Sequence, residues 1–213
     1  MTPDTETPSK AEAASVEPIL KSALGADWYR LPPILRRSFD LRPGENCEVR
    51  LKGTMQKIEH SRLAKLFIWP GQLLGALVPY QGTDVPIRID MRTHTMDRRF
   101  MYWHRAHAFN ENPEFLFSTR MEYLEGNETI ERVRMNIGLR MRVSFDGEVL
   151  KFESSCYQWD VLGVRIRIPT WLLLGHGVIL EKALSEEEFS MSFTIDHPLL
   201  GRTFTYRGIF RYI

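Results

Sequence analysis

The chain has 213 residues, 43% hydrophobic and 26% charged, with a formal net charge of +1. A chain of this size buries enough apolar surface to fold without disulfide or metal staples. Between Val85 and Arg167, 13 arginines and lysines are balanced by 12 aspartates and glutamates, which argues against a nucleic-acid or anionic-membrane surface, where basic residues outnumber acids.

Met1 to Ser15 is polar and aperiodic, and lacks the basic and apolar regions of a secretory signal. A disordered tail is expected over 1–15 and one β-rich domain over 16–213. Val16 to Leu24 predicts a short helix ending at Gly25, and Pro33 suits the first turn of a second helix through Phe39. Cys47, Val49, Leu51 and Met55 then alternate with polar residues as one face of a strand. Ser61 is placed to cap a third helix, Arg62 to Ile68, which Pro70 stops. The longest apolar stretch, Leu66 to Val78, is broken by Pro70, Gly71, Gln72 and Gly75. It falls short of the roughly 18–20 residues of a membrane span. No span and a cytoplasmic location follow as expectations.

Val85, Ile87, Ile89 and Met91 form one face of the next strand. Asp97 to Phe109 is strand-like but mixed on both faces. Phe115 to Tyr123 puts Phe115, Phe117, Met121 and Tyr123 on one side. Val133 to Phe145 is the longest uninterrupted alternation. A two-residue turn at Asp146-Gly147 would pair Val143 with Leu150, Met141 with Phe152 and Ile137 with Cys156, with Arg140 opposite Glu153 on the wet face. A tight turn at Ser185-Glu186 would pair Leu180 with Met191 and Val178 with Phe193. The Pro198 to Gly201 loop would pair Ile195 with Phe204, Phe193 with Tyr206 and Phe189 with Phe210, leaving Gly208 to face Met191.

These patterns predict a mainly β fold. It is one large curved antiparallel sheet, barrel-like or half-barrel, of nine to ten strands, with two or three short helices in the first 80 residues.

Signatures of chemistry are sparse. Gly175-His176-Gly177 with Asp196 about 20 residues on has the outline of a dinucleotide fingerprint, but Leu180 takes the third glycine position and too little chain follows for a parallel sheet. It reads instead as a loop feeding a strand. His104 and His107 lie three apart on a strand, so they point to opposite faces and cannot share a metal. There is no Gly-x-Ser-x-Gly elbow. Cys47 and Cys156 fall on apolar faces and read as structural free thiols in a reducing compartment. No metal, cofactor or catalytic group is assigned.

The segment that departs most from simple alternation is Arg98 to Arg105, with aromatic and cationic groups on both faces. Arg99, Tyr102, Trp103, His104 and Arg105 are the candidate ligand-binding residues of a mostly apolar pocket. Surface stacking of arginine on aromatic rings is the simpler alternative.

The chain resembles a bacterial family catalogued as domain of unknown function 4166. The resemblance rests on LPPILRRSFD at Leu31 to Asp40, RLAKLFIWP, DVPIRID, the RRF at Arg98 to Phe100, IPTWLLLG, EEEF and HPLLGRTFTYRG. It spans Leu31 to Tyr212 and is weakest over Glu125 to Gly138. It implies a compact β-rich domain in an accessory role, in some relatives fused to membrane-spanning, dehydrogenase-like or epimerase-like proteins, and it brings no catalytic residues. Three functions are in competition. The first is a binding module for an apolar or amphipathic small molecule in the sheet cavity. The second is an enzyme using the same cavity with a histidine or carboxylate as acid or base. The third is an interaction domain for a protein partner, with Trp69 to Tyr80 as its exposed apolar patch.

Overall fold

The computed structural model describes residues 16–62, 64, 78–110 and 112–213. The expected tail, the helix Arg62 to Ile68 and most of the Trp69 to Tyr80 loop lie outside the described residues. The Ala64 N–H does donate to Ser61 Oγ at 3.1 Å, the expected cap.

Two helices come first: α1 (Ile19–Leu24) and α2 (Pro33–Phe39). Gly25 follows α1 with φ +55, and Pro33 is the first residue of α2, as the sequence predicts. Eleven strands follow among the described residues. They are β1 (Glu48–His60), β2 (Val85–His94), β3 (Asp97–His107), β4 (Phe115–Tyr123), β5 (Glu128–Arg132) and β6 (Ile137–Phe145). The rest are β7 (Val149–Val161), β8 (Val164–Ile168), β9 (His176–Ala183), β10 (Glu188–His197) and β11 (Gly201–Tyr212).

All pairings are antiparallel. Strands β1 to β7 form a meander, β9 to β11 continue it, and β11 returns to β1. The far edge of β7 is shared: residues 149–153 pair with β9 and residues 157–161 with β8. Ten strands therefore close a barrel and β8 extends from it. No helix among the described residues is long and apolar enough to cross a membrane.

The helices fill one half of the barrel. Leu20, Leu35 and Phe39 are fully buried with the inward Met91, Met101, Met141 and Leu150. The Phe39 ring lies 5.8 Å from Trp103 and 6.0 Å from Phe152. Tyr212 on β11 pins α2 in place, donating to the Ile34 carbonyl at 2.5 Å and accepting from Ser38 Oγ at 2.6 Å.

The β10–β11 register is as expected, with Phe189, Phe193 and Ile195 opposite Phe210, Tyr206 and Phe204, and Met191 opposite Gly208. Three expectations need correction. Val133 to Phe145 is not one strand: a turn at Arg134–Asn136, with Met135 and Asn136 at positive φ, separates β5 from β6. The β6–β7 register is two residues off, pairing Val143 with Phe152 and Phe145 with Leu150. The cause is Asp146, whose Oδ1 accepts the N–H groups of Glu148 and Val149 and widens the loop. A bulge at Ser155 then reverses the alternation, so Cys156 lies opposite Arg140 rather than Ile137, and Glu153 opposite Arg142. Cys156 is thus not on the core face, whereas Cys47 does pack against the core.

The third correction has the largest consequence. Strand β9 pairs with β10 one residue out of the expected register: Glu181 faces Met191 and Ile179 faces Phe193. The loop spans four residues, held by Ser185 Oγ accepting from the Glu187 and Glu188 N–H groups. A one-residue slip exchanges the two faces. Leu180 is therefore on the outside and Glu181 is inside.

Candidate functional site

The half of the barrel away from α1 and α2 holds a cavity of about 150 Å³. Its walls are mostly apolar, with Phe117, Leu139, Ile179, Met191, Phe193 and Phe204 among them. Strand alternation builds it, because the inward residues of β4, β6, β9, β10 and β11 meet there. A smaller void of about 20 Å³ lies toward α2, bordered by Ser38, Trp103 and Glu181. Arg105 and Met191 border both spaces.

Arg105 is the floor of the cavity. Its guanidinium lies 4.5 Å from the Trp103 ring centre and 5.3 Å from that of Phe117. It donates to Thr119 Oγ1 at 2.9 Å and to Glu131 Oε1 at 2.9 Å, and Thr119 donates to the same Glu131 oxygen at 2.5 Å. A charged pair in an apolar barrel costs desolvation, so it persists only with such satisfied bonds.

Two further ionisable groups point inward. His107 is fully buried, and burial holds its imidazole down at about 4. Its Nδ1 lies 3.4 Å from the Phe115 carbonyl, which only accepts, so Nδ1 carries the proton. The Tyr206 hydroxyl then donates to Nε2 at 2.8 Å. Glu181 is 7% exposed, and its Oε2 has no hydrogen-bond partner among the described residues. Burial pushes its carboxyl up to about 8; Arg105 opposes that shift and Glu131 adds to it. Burial also raises the Tyr157 and Tyr206 phenols.

The sequence-derived candidates divide between the faces of β3. Trp103 and Arg105 point inward. Tyr102 and His104 point outward, where Tyr102 donates to Asp97 and His104 Nδ1 lies 2.9 Å from Ser118 Oγ. Arg99 is paired with Glu122 and stacked over Phe100. His104 and His107 are on opposite faces, as their spacing requires. Glu131, Thr119, Tyr157 and Glu181 escaped the sequence reading, and Tyr206 enters it only as a strand-pairing residue. They lie on different strands, and only the closed barrel brings them together. Gly175 opens β9 with φ +111, and a Cβ there would lie 2.4 Å from the Asp196 carbonyl oxygen, so that glycine serves a close backbone approach.

A second charged cluster lies on the outer face. Glu122 and Arg132 side chains are only 1% and 3% exposed and paired at 2.6 Å, and Arg132 also reaches Asp160 at 2.7 Å. Arg140 is held by Glu128 and Glu125. These pairs cover Ile130, which is fully buried outside the main core.

A family model described as Domain of unknown function (DUF4166) matches residues 31–210. The chain belongs to that family, and the fold defined above is an antiparallel barrel with a helical plug. Among curated proteins, none matches the chain.

Proposed function

We propose that the barrel binds one small apolar or amphipathic molecule in the cavity between Arg105 and the β6–β9 walls. The observation that carries this reading is the contrast between the two halves of the barrel. One is filled by α1 and α2, whereas the other keeps about 150 Å³ between apolar side chains. Protein interiors ordinarily close such space, and a void of this size takes a benzene-sized molecule. Arg105 belongs to this site as its floor; Trp103 borders the smaller void toward α2, and Arg99, Tyr102 and His104 do not line the cavity.

Acid–base catalysis in the same space has weaker support. The carboxylate among the described lining residues is Glu131, and its bonds are committed to Arg105 and Thr119.

Thermal unfolding with toluene as probe tests the reading. Saturating toluene raises the stability of the protein, by about 2.7 kcal/mol at a hundred times its Kd. Ile179→Phe, which fills the cavity, abolishes that gain while the unliganded protein still folds. A wild type insensitive to toluene would refute the proposal.

A further inference from the structure

The chemistry of the cavity's polar end narrows the ligand class; this step rests on the binding reading above. Among the described residues, the barrel interior sets one arginine, Arg105, against two carboxylates, Glu131 and Glu181. Arg105 is already neutralised by Glu131 at 2.9 Å. Burial and the neighbouring Glu131 favour the uncharged form of Glu181, and His107 is also neutral. A ligand anion would therefore be a second negative charge facing one shared cation, in a low-dielectric space.

The hydrogen bonds that remain to be made point the same way. The Thr119 proton goes to Glu131 and the Tyr206 proton to His107. Among the described residues both bonds to Glu131 fall on Oε1, so Oε2 is an unspent acceptor there, and so is the second lone pair of Tyr206. Tyr157 lines the cavity with a hydroxyl that makes no hydrogen bond among the described residues, an unspent donor and acceptor. The remaining Arg105 N–H groups are unspent donors. A group that both donates and accepts, and carries no charge, satisfies this set. A carboxylate only accepts.

We infer that the cavity is selective for an uncharged, hydroxyl-bearing apolar molecule over its carboxylate counterpart. The distinction separates alcohols from fatty or aromatic acids.

Three probes of matched size decide it by calorimetric titration of the wild-type protein at pH 7: toluene, benzyl alcohol and benzoate. Benzyl alcohol is expected to bind about threefold to tenfold more tightly than toluene, the worth of one net hydrogen bond. Benzoate is expected to bind at least about tenfold more weakly than benzyl alcohol. Ile179→Phe is expected to weaken both toluene and benzyl alcohol, which places them in the same cavity. Benzoate binding as well as or better than benzyl alcohol would overturn the inference and leave the cavity reading standing. Absence of binding by all three would overturn both.

Discussion

Glu181 and His107 give the barrel interior a signature in its response to pH. The folded state holds the Glu181 proton up to about pH 8, whereas the unfolded chain releases it near 4.5. Between those values the native state binds more protons, so its stability falls as pH rises, by about 1.4 kcal/mol per pH unit. His107 acts oppositely: its pKa falls from 6.5 to about 4 on folding, so its contribution is complete above pH 6.5 and is lost as pH falls toward 4. The two slopes cancel between about pH 4.5 and 6.5, and stability then declines to about pH 8. Glu181→Gln removes the first slope. Urea unfolding of that variant is expected to show stability rising from pH 4 to 6.5 and level above it. A decline between pH 6.5 and 8 as steep as in the wild type would show that Glu181 is not the group responsible.

Glu181 also shows where a residue's role is hidden from sequence. It sits in Val178-Ile179-Leu180-Glu181, where hydrophobicity alone prefers Leu180 inside. The loop bonded through Ser185 sets the register instead, and the slip of one residue buries the charge. His197 is a contrasting case. Its Nδ1 accepts the N–H groups of Leu199 and Leu200, and its Nε2 donates to the Trp171 carbonyl at 2.6 Å. That single side chain ties the β10–β11 turn to the loop before β9, which gives the His197-Pro198 connection a structural purpose rather than a chemical one.

At the scale of elements, alternation made most strands legible. The inward faces of β2, β10 and β11 are those expected, because each carries an unbroken run of apolar residues every second place. Legibility failed where geometry interrupts the period. The bulge between Met55 and Lys57 in β1 turns Ile58 and His60 inward, and the bulge at Ser155 turns Tyr157 into the cavity. Strand β5 was missed because Glu128, Glu131 and Arg132 interrupt its apolar pattern; its charges pair with partners distant in sequence. Strand β3 looked mixed because its inner face includes an ion-paired arginine and a neutral histidine.

The close pairing of β1 with β11 depends on Gly53. A Cβ there would lie 2.3 Å from the Ile209 carbonyl oxygen and 2.7 Å from the Phe210 ring. The obstruction includes backbone, so the strands must separate to admit a methyl group. Gly53→Ala is expected to cost about 1–3 kcal/mol in urea unfolding, and a cost below experimental error would mean that the strands are not closely apposed there.

At the scale of the whole molecule, closure of the sheet is the decisive feature. A half-barrel and a barrel share the same strand patterns, since the β11–β1 and β6–β7 contacts use the same antiparallel pairing as the other neighbours. What alternation cannot report is which inward positions are covered by helices. The sequence expectation puts the cavity along Arg99 to Arg105, and alternation does not say which half α1 and α2 occupy. The structure puts the plug beside Trp103 and Phe152 and the space beside Phe117, Leu139 and Phe193. Arg105 lies between them, which is why one residue of the aromatic and basic segment matters to the cavity while its outward neighbours do not.

The binding reading requires open apolar space in that half of the barrel. Diffraction from crystals under xenon pressure measures it directly, since xenon enters dry cavities of this size. A xenon peak is expected in contact with Phe117, Leu139, Ile179 and Phe193. A barrel without xenon, its interior occupied by those side chains packed against one another, would contradict that reading.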